Sequence, residues 1–119
     1  MKKIIIPLMI CLLLPSVCIA QSAKDAVRAL KKVDAKCKVG TTLKDYLNAV
    51  ADAKFEVDLF LKSKEAQKNQ YITGAIQSAM SLYENAGRRW MSGNSALVYE
   101  TWEDAGELLE QAVDELAKE

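Results

Sequence analysis

From residue 21 onward, apolar positions recur at the three- and four-residue spacing of an α-helix, and nowhere do they alternate as in a strand. The spacing predicts a first helix over Ala23–Lys38, with Ala23, Ala26, Val27, Leu30, Val33 and Cys37 on one face. Ser22 is a suitable N-cap, Asp25 stands three residues on as in a capping box, and Gly40 suits the left-handed residue that closes a helix. A second helix is expected from Leu43 to about Ser63, opened by the same pattern at Thr42 and Asp45. Its apolar face carries Leu43, Tyr46, Leu47, Val50, Ala53, Val57, Phe60 and Leu61, while Asp45, Asn48, Asp52 and Glu56 lie opposite. Phe55 and Leu59 widen the apolar side, as expected of a helix with more than one neighbour.

The stretch Ser63–Gln70 is polar but holds neither Gly nor Pro. A break is expected near 62–67, because one rod from 43 to 91 could not fold back over its own apolar face. The third helix then carries Tyr71, Ile72, Ala75, Ile76, Ala79, Leu82, Tyr83, Ala86 and Trp90. Gly74 and Gly87 lie within it, each costing about 1 kcal/mol relative to Ala, and close helix approach is the expected reason for both. Ser92-Gly93-Asn94-Ser95 is a turn. A fourth helix follows from Ala96 to about Ala117, with the stripe Val98, Trp102, Ala105, Leu108, Leu109, Ala112, Val113 and Leu116. Amphipathic helices joined by short connections predict an all-α fold, a small antiparallel up-down four-helix bundle whose first helix is shorter.

The segment before residue 21 has a different pattern. Met1-Lys2-Lys3 is followed by an unbroken apolar run to about Leu14, then Pro15, Ser16 and the small-residue end Cys18-Ile19-Ala20. This is the layout of an export signal, so residues 1–20 are expected to be a cleaved leader and 21–119 the mature domain. The apolar run is shorter than the roughly 20 residues needed to span a bilayer, so no membrane span is expected in the mature form. Lipid attachment at Cys18 is a lesser reading, since Val17 and Pro15 stand where a lipoprotein signal has a small residue and a Leu. The layout is similar to that of small exported helical proteins of Gram-negative bacteria, and layout alone carries no function.

Charge refines this picture. The chain has 16 basic and 16 acidic residues, and without Lys2 and Lys3 the balance is weakly acidic, so nucleic acid is not an expected partner. The signs are segregated. The first helix holds Lys24, Arg28, Lys31, Lys32, Lys36 and Lys38; the segment 99–119 holds Glu100, Glu103, Asp104, Glu107, Glu110, Asp114, Glu115 and Glu119. Adjacent placement of these two helices is expected to let the charges steer their pairing, each surface pair contributing at most ~1 kcal/mol.

The absence of histidine excludes His-based triads and His metal sites, and widely spaced glycines exclude a phosphate-binding loop. Acidic pairs such as Asp52 with Glu56 and Glu103 with Glu107 are read as solvated faces rather than metal ligands. The chain is therefore expected to be non-enzymatic, with no catalytic residue, no metal and no cofactor. Cys37 alone remains after cleavage. It is read first as a half-buried helix residue, and second as the source of an intermolecular disulfide.

In the expected bundle one pole gathers Cys37, Tyr46, Tyr83, Trp90, Tyr99 and Trp102, with Arg88 and Arg89 at its rim. Aromatics with Arg are common interface anchors, and large rings also simply fill a core. The candidate interaction residues are Arg88, Arg89, Trp90, Tyr99 and Trp102. The expected function is a binding or interaction module for a protein partner, in the periplasm or outside the cell. The alternative is a structural homo-oligomer, joined through Cys37.

Overall fold

The computed structural model describes residues 23–118. The expected leader, its cleavage point at Ala20, Cys18 and the Ser22 cap lie outside the described residues. Residues 23–39 form α1. Then come α2 (Leu43–Leu61), α3 (Glu65–Lys68), α4 (Gln70–Met91) and α5 (Ser95–Ala117). The described residues are all-helical, with no strand among them.

Local chemistry sets the boundaries. Gly40 closes α1 at φ 108°, a left-handed conformation, and its amide donates to the Lys36 carbonyl at 2.9 Å. Thr42 caps α2 by accepting from the Asp45 amide at 3.2 Å. The break after α2 is made by polar side chains, without Gly or Pro. The Ser63 hydroxyl donates to the Phe60 carbonyl at 2.6 Å. Asn69, in an extended conformation, accepts from the Ile72 amide at 3.2 Å and so caps α4. Between them lies the short helix α3, which periodicity could not show. The Thr73 hydroxyl bonds the carbonyls of Ala66 and Asn69, tying α3 to the first turn of α4.

The long helices pack along their apolar stripes. α4 and α5 are antiparallel: Arg89 meets Thr101 near their shared turn, and Tyr71 meets Gln111 toward the far end. α2 lies on α4, where Tyr46 reaches Tyr83 and Lys54 pairs with Glu84 at 3.7 Å. α1 reaches α4 through Asp34, which accepts from the Tyr83 hydroxyl at 3.3 Å. A Cβ at Gly106 of α5 would sit 3.4 Å from the same Asp34 carboxylate, so α1 and α5 run close there. The core centres on Leu30, Val33, Tyr46, Val57, Phe60, Ile76 and Tyr83, all nearly or fully buried.

Several expectations need correction. Phe55, Leu59 and Tyr71 are exposed, because α2 and α4 each turn a narrower stripe inward than their apolar residues suggest. Met80 and Thr101 are buried although neither belongs to the expected stripes. Gly87 serves close approach, since a Cβ there would lie 3.1 Å from Leu47 Cδ2; at Gly74 a Cβ would meet nothing within 4 Å. The expected charge pairing of the first and last helices is not made by contact. Among the described residues no base of α1 forms an ion pair with α5, and Lys38 pairs instead with Asp34 of its own helix at 3.0 Å.

Candidate functional site

The end of α1, the start of α2, the end of α4 and the start of α5 meet at one pole. Each contributes through its helical register. Cys37 follows Val33 by one turn on the buried face of α1, and Tyr46 begins the buried stripe of α2. Trp90 follows Tyr83 and Ala86 on α4; Trp102 precedes Ala105 and Leu109 on α5.

Tyr46 is the hub. Its ring centroid lies 5.8 Å from that of Trp90 and 5.4 Å from that of Trp102, both tilted. Trp90 and Trp102 meet edge to face at 5.9 Å. Tyr99 adds a further edge-to-face contact with Trp102 at 5.5 Å, yet stands 68% exposed. The cluster thus runs from a fully buried ring to a solvent-facing one. A cavity of about 190 Å³ opens beside it, lined by Cys37, Gly40, Thr41, Trp90, Ser95, Val98, Tyr99 and Trp102.

The polar groups here are quiescent. Burial, and secondarily the nearby Asp34 carboxylate, push the Cys37 thiol up to about 12. A thiolate is the reactive form of cysteine, so this thiol is a poor nucleophile. Burial likewise holds the Tyr46 and Tyr83 phenols above their ordinary range. Part of this is offset at Tyr46 by the indole N–H of Trp102, which lies close enough to favour the ionised phenol but does not meet hydrogen-bond geometry and is buried without an acceptor.

Comparison with protein-family models, curated proteins and solved structures finds no match to this chain. The pole's own geometry therefore carries the functional argument.

The structure brings Cys37, Trp90, Tyr99 and Trp102 around one cavity, with Tyr46 behind them. Tyr83 is nearby but turns its hydroxyl to Asp34. The arginines separate. Arg88 bonds Asn85 of its own helix at 2.6 Å, on the exposed surface. Arg89 crosses to α5 and donates to the Thr101 hydroxyl at 2.8 Å. Thr101, Asp34, Thr41 and Val98 join the site or its support without having been singled out in the sequence as site residues. Thr101 had a legible signal: it lies one turn before Ala105 on the inward side of its helix. Asp34 adjoins Val33, and Thr41 follows the helix-closing glycine.

The arrangement can bury an apolar or aromatic group against ring faces and edges. Among the described residues no group of three or more Cys, Asp or Glu side chains is placed to hold a metal ion, and no helix is long and apolar enough to cross a membrane.

Proposed function

We propose that this chain is an exported, non-enzymatic binding module, an up-down-up-down four-helix bundle that docks an apolar side chain of a protein partner at its aromatic pole. The antiparallel packing of α4 on α5, with the end of α1 at the same pole as the end of α4 and the start of α5, supports the bundle reading. One observation carries the docking reading: Tyr99 is 68% exposed while in edge-to-face contact with Trp102, beside a cavity of about 190 Å³. A solvent-facing ring braced by a half-buried tryptophan is pre-organised, which lowers the ordering cost of binding.

Ser95 is exposed and lines the pole cavity, so it is the place for a photo-crosslinking amino acid. Irradiation of the intact cell envelope should yield a discrete heavier adduct, lost when Tyr99 is changed to Ser. A crosslinker at Phe55, exposed on α2 away from the pole, serves as the control. Equal yields at the two positions would reject the docking site. The same preparation tests export: the amino terminus should read Gln21, and a retained Met1 would reject it.

A disulfide-linked oligomer draws little support from the geometry. Cys37 is half-buried and held protonated, whereas disulfide exchange proceeds through the thiolate.

A further inference from the structure

The face shared by α1 and α5 carries a second feature, which adjoins the pole cavity and shares Cys37, Tyr99 and Trp102 with it. An open groove of about 910 Å³ runs between the two helices, with Trp102, Leu109 and Val113 among its lining residues. Its α5 wall, residues 99–114, extends for about 24 Å at the helical rise. Lys31 and Lys38 stand on the α1 side with Asp34, which pairs with Lys38 at 3.0 Å; Glu103, Glu107, Glu110 and Asp114 stand on the other. The asymmetry continues past the groove. α1 adds exposed Lys24 and Arg28, whereas its Lys32 and Lys36 line a cleft against α2; Ser95–Ala117 contains no basic residue. As found above, the described bases of α1 form no ion pair with α5.

A partner segment of one sign would be attracted to one rim and repelled by the other. The face fits a surface that is itself bipolar, with a basic helix beside an acidic one, and this chain presents such a surface. An isologous contact requires a patch complementary to itself. A twofold axis running along the groove meets that requirement, because it lays α1 of each copy over α5 of the other. A twofold across the groove would set α1 on α1 and acid on acid, and is excluded by repulsion.

We infer that a second copy of this chain seats on the α1–α5 face, about a twofold axis parallel to the groove. Two helices side by side are about 20 Å wide, so the flat patch is near 500 Å² per copy, at the small end of specific interfaces. The dimer is accordingly reversible and salt-sensitive, and it needs no disulfide. The axis also leaves both poles at the same end.

Sedimentation velocity of the purified protein in reductant, from micromolar to sub-millimolar concentration, reads the dimer directly. The weight-average mass should rise toward twice the monomer at low salt and fall back at high salt. The variants Lys31→Glu/Lys38→Glu and Glu107→Lys/Glu110→Lys should each self-associate at least about tenfold more weakly, a loss of about 1.4 kcal/mol. Mixed one to one, they should recover association as a heterodimer. Should a reversed variant fail to fold by circular dichroism, the neutral pairs Lys31→Gln/Lys38→Gln and Glu107→Gln/Glu110→Gln must show the same weakening. A mass that stays monomeric at every concentration overturns the inference, as does a mixture that stays monomeric or an association indifferent to salt. Tyr99 lines both the groove and the pole cavity, so the mass of the Ser95 adduct separates the two readings: twice the monomer mass marks the second copy, and any other mass marks the docked partner.

Discussion

The Tyr46 hydroxyl donates a 2.7 Å hydrogen bond to the main-chain carbonyl of Tyr83, inside the core and 37 residues away in sequence. The Tyr46 ring at the same time touches both tryptophans. One side chain thus fixes α2 against α4 and supports the pole from beneath. The Tyr83 hydroxyl continues the line to Asp34 of α1. Three helices are registered through two phenols.

Tyr46→Phe keeps the ring and removes the bond. The Tyr83 carbonyl lies within α4, where the helical ladder still satisfies it. The expected loss is about 1 kcal/mol, the net worth of a neutral hydrogen bond. Tyr46→Ala empties the space between the tryptophans and should cost about 3–5 kcal/mol, as large aromatic truncations do. Urea unfolding of the two variants gives both values; equal losses would mean that the ring packing contributes nothing.

The glycines of α4 should part company on substitution. Gly74 is exposed and has room for a methyl group, so Gly74→Ala should stabilise by about 0.5–1 kcal/mol. At Gly87 the new Cβ would press Leu47 Cδ2 at 3.1 Å and touch Tyr46 Cε2 at 3.5 Å. The Leu47 methyl has to move, so Gly87→Ala should forfeit some or all of that gain. Thermal melts of the pair, measured side by side, test the contrast; an equal rise at both sites would contradict the contact at Gly87.

This contrast shows where the sequence was legible and where it was not. Spacing alone placed the long helices, because each buries a periodic stripe. Thr42 and Gly40 were readable because capping and left-handed closure depend on residues adjacent in the chain. Which glycine meets a neighbour depends on the rotation of α4 against α2, and no local signal encodes that. The same rotation leaves Phe55 and Leu59 in solvent. The break after α2 was expected, but α3 was not, since a helix of 4 residues has no periodicity to detect. At the pole, the ring cluster was legible from helix ends that had to meet. The divergence of Arg88 and Arg89 was not, because adjacent helical residues point about 100° apart and only tertiary packing decides which finds a partner.

Arg89 and Thr101 should behave as a coupled pair. Thr101 is 3% exposed; its hydroxyl donates to the Leu97 carbonyl at 2.6 Å and accepts from Arg89 at 2.8 Å. The bond spans the turn at Gly93 and pins the end of α4 to the start of α5. Arg89→Ala, Thr101→Val and the double variant form a cycle whose coupling should be about 0.5–1.5 kcal/mol, given the exposed guanidinium. Additive losses would show that the two helix ends are held by the rings alone. Arg88→Ala is the internal control, since Arg88 bonds only within α4 at Asn85 and should shift stability by less than about 0.5 kcal/mol.

The buried thiol and phenols also set the response to alkali. Cys37 titrates from 9.0 when free but is pushed up to about 12 in the folded chain, by burial first and Asp34 second. Between those values the unfolded chain has released a proton that the folded one still holds. The unfolded state therefore binds fewer protons, and stability falls as pH rises through this window. Tyr46 and Tyr83, raised by burial above their ordinary 10.0, act with the same sign from a higher starting point. Thermal melts followed by circular dichroism should thus show a midpoint that starts to drop near pH 9.0 and falls more steeply above 10.0. Cys37→Ala removes the first of these ionisations, so its decline should begin only near the tyrosine range. A Cys37→Ala curve that breaks at the same pH as the parent would mean that the thiol is not held protonated between α1 and the pole.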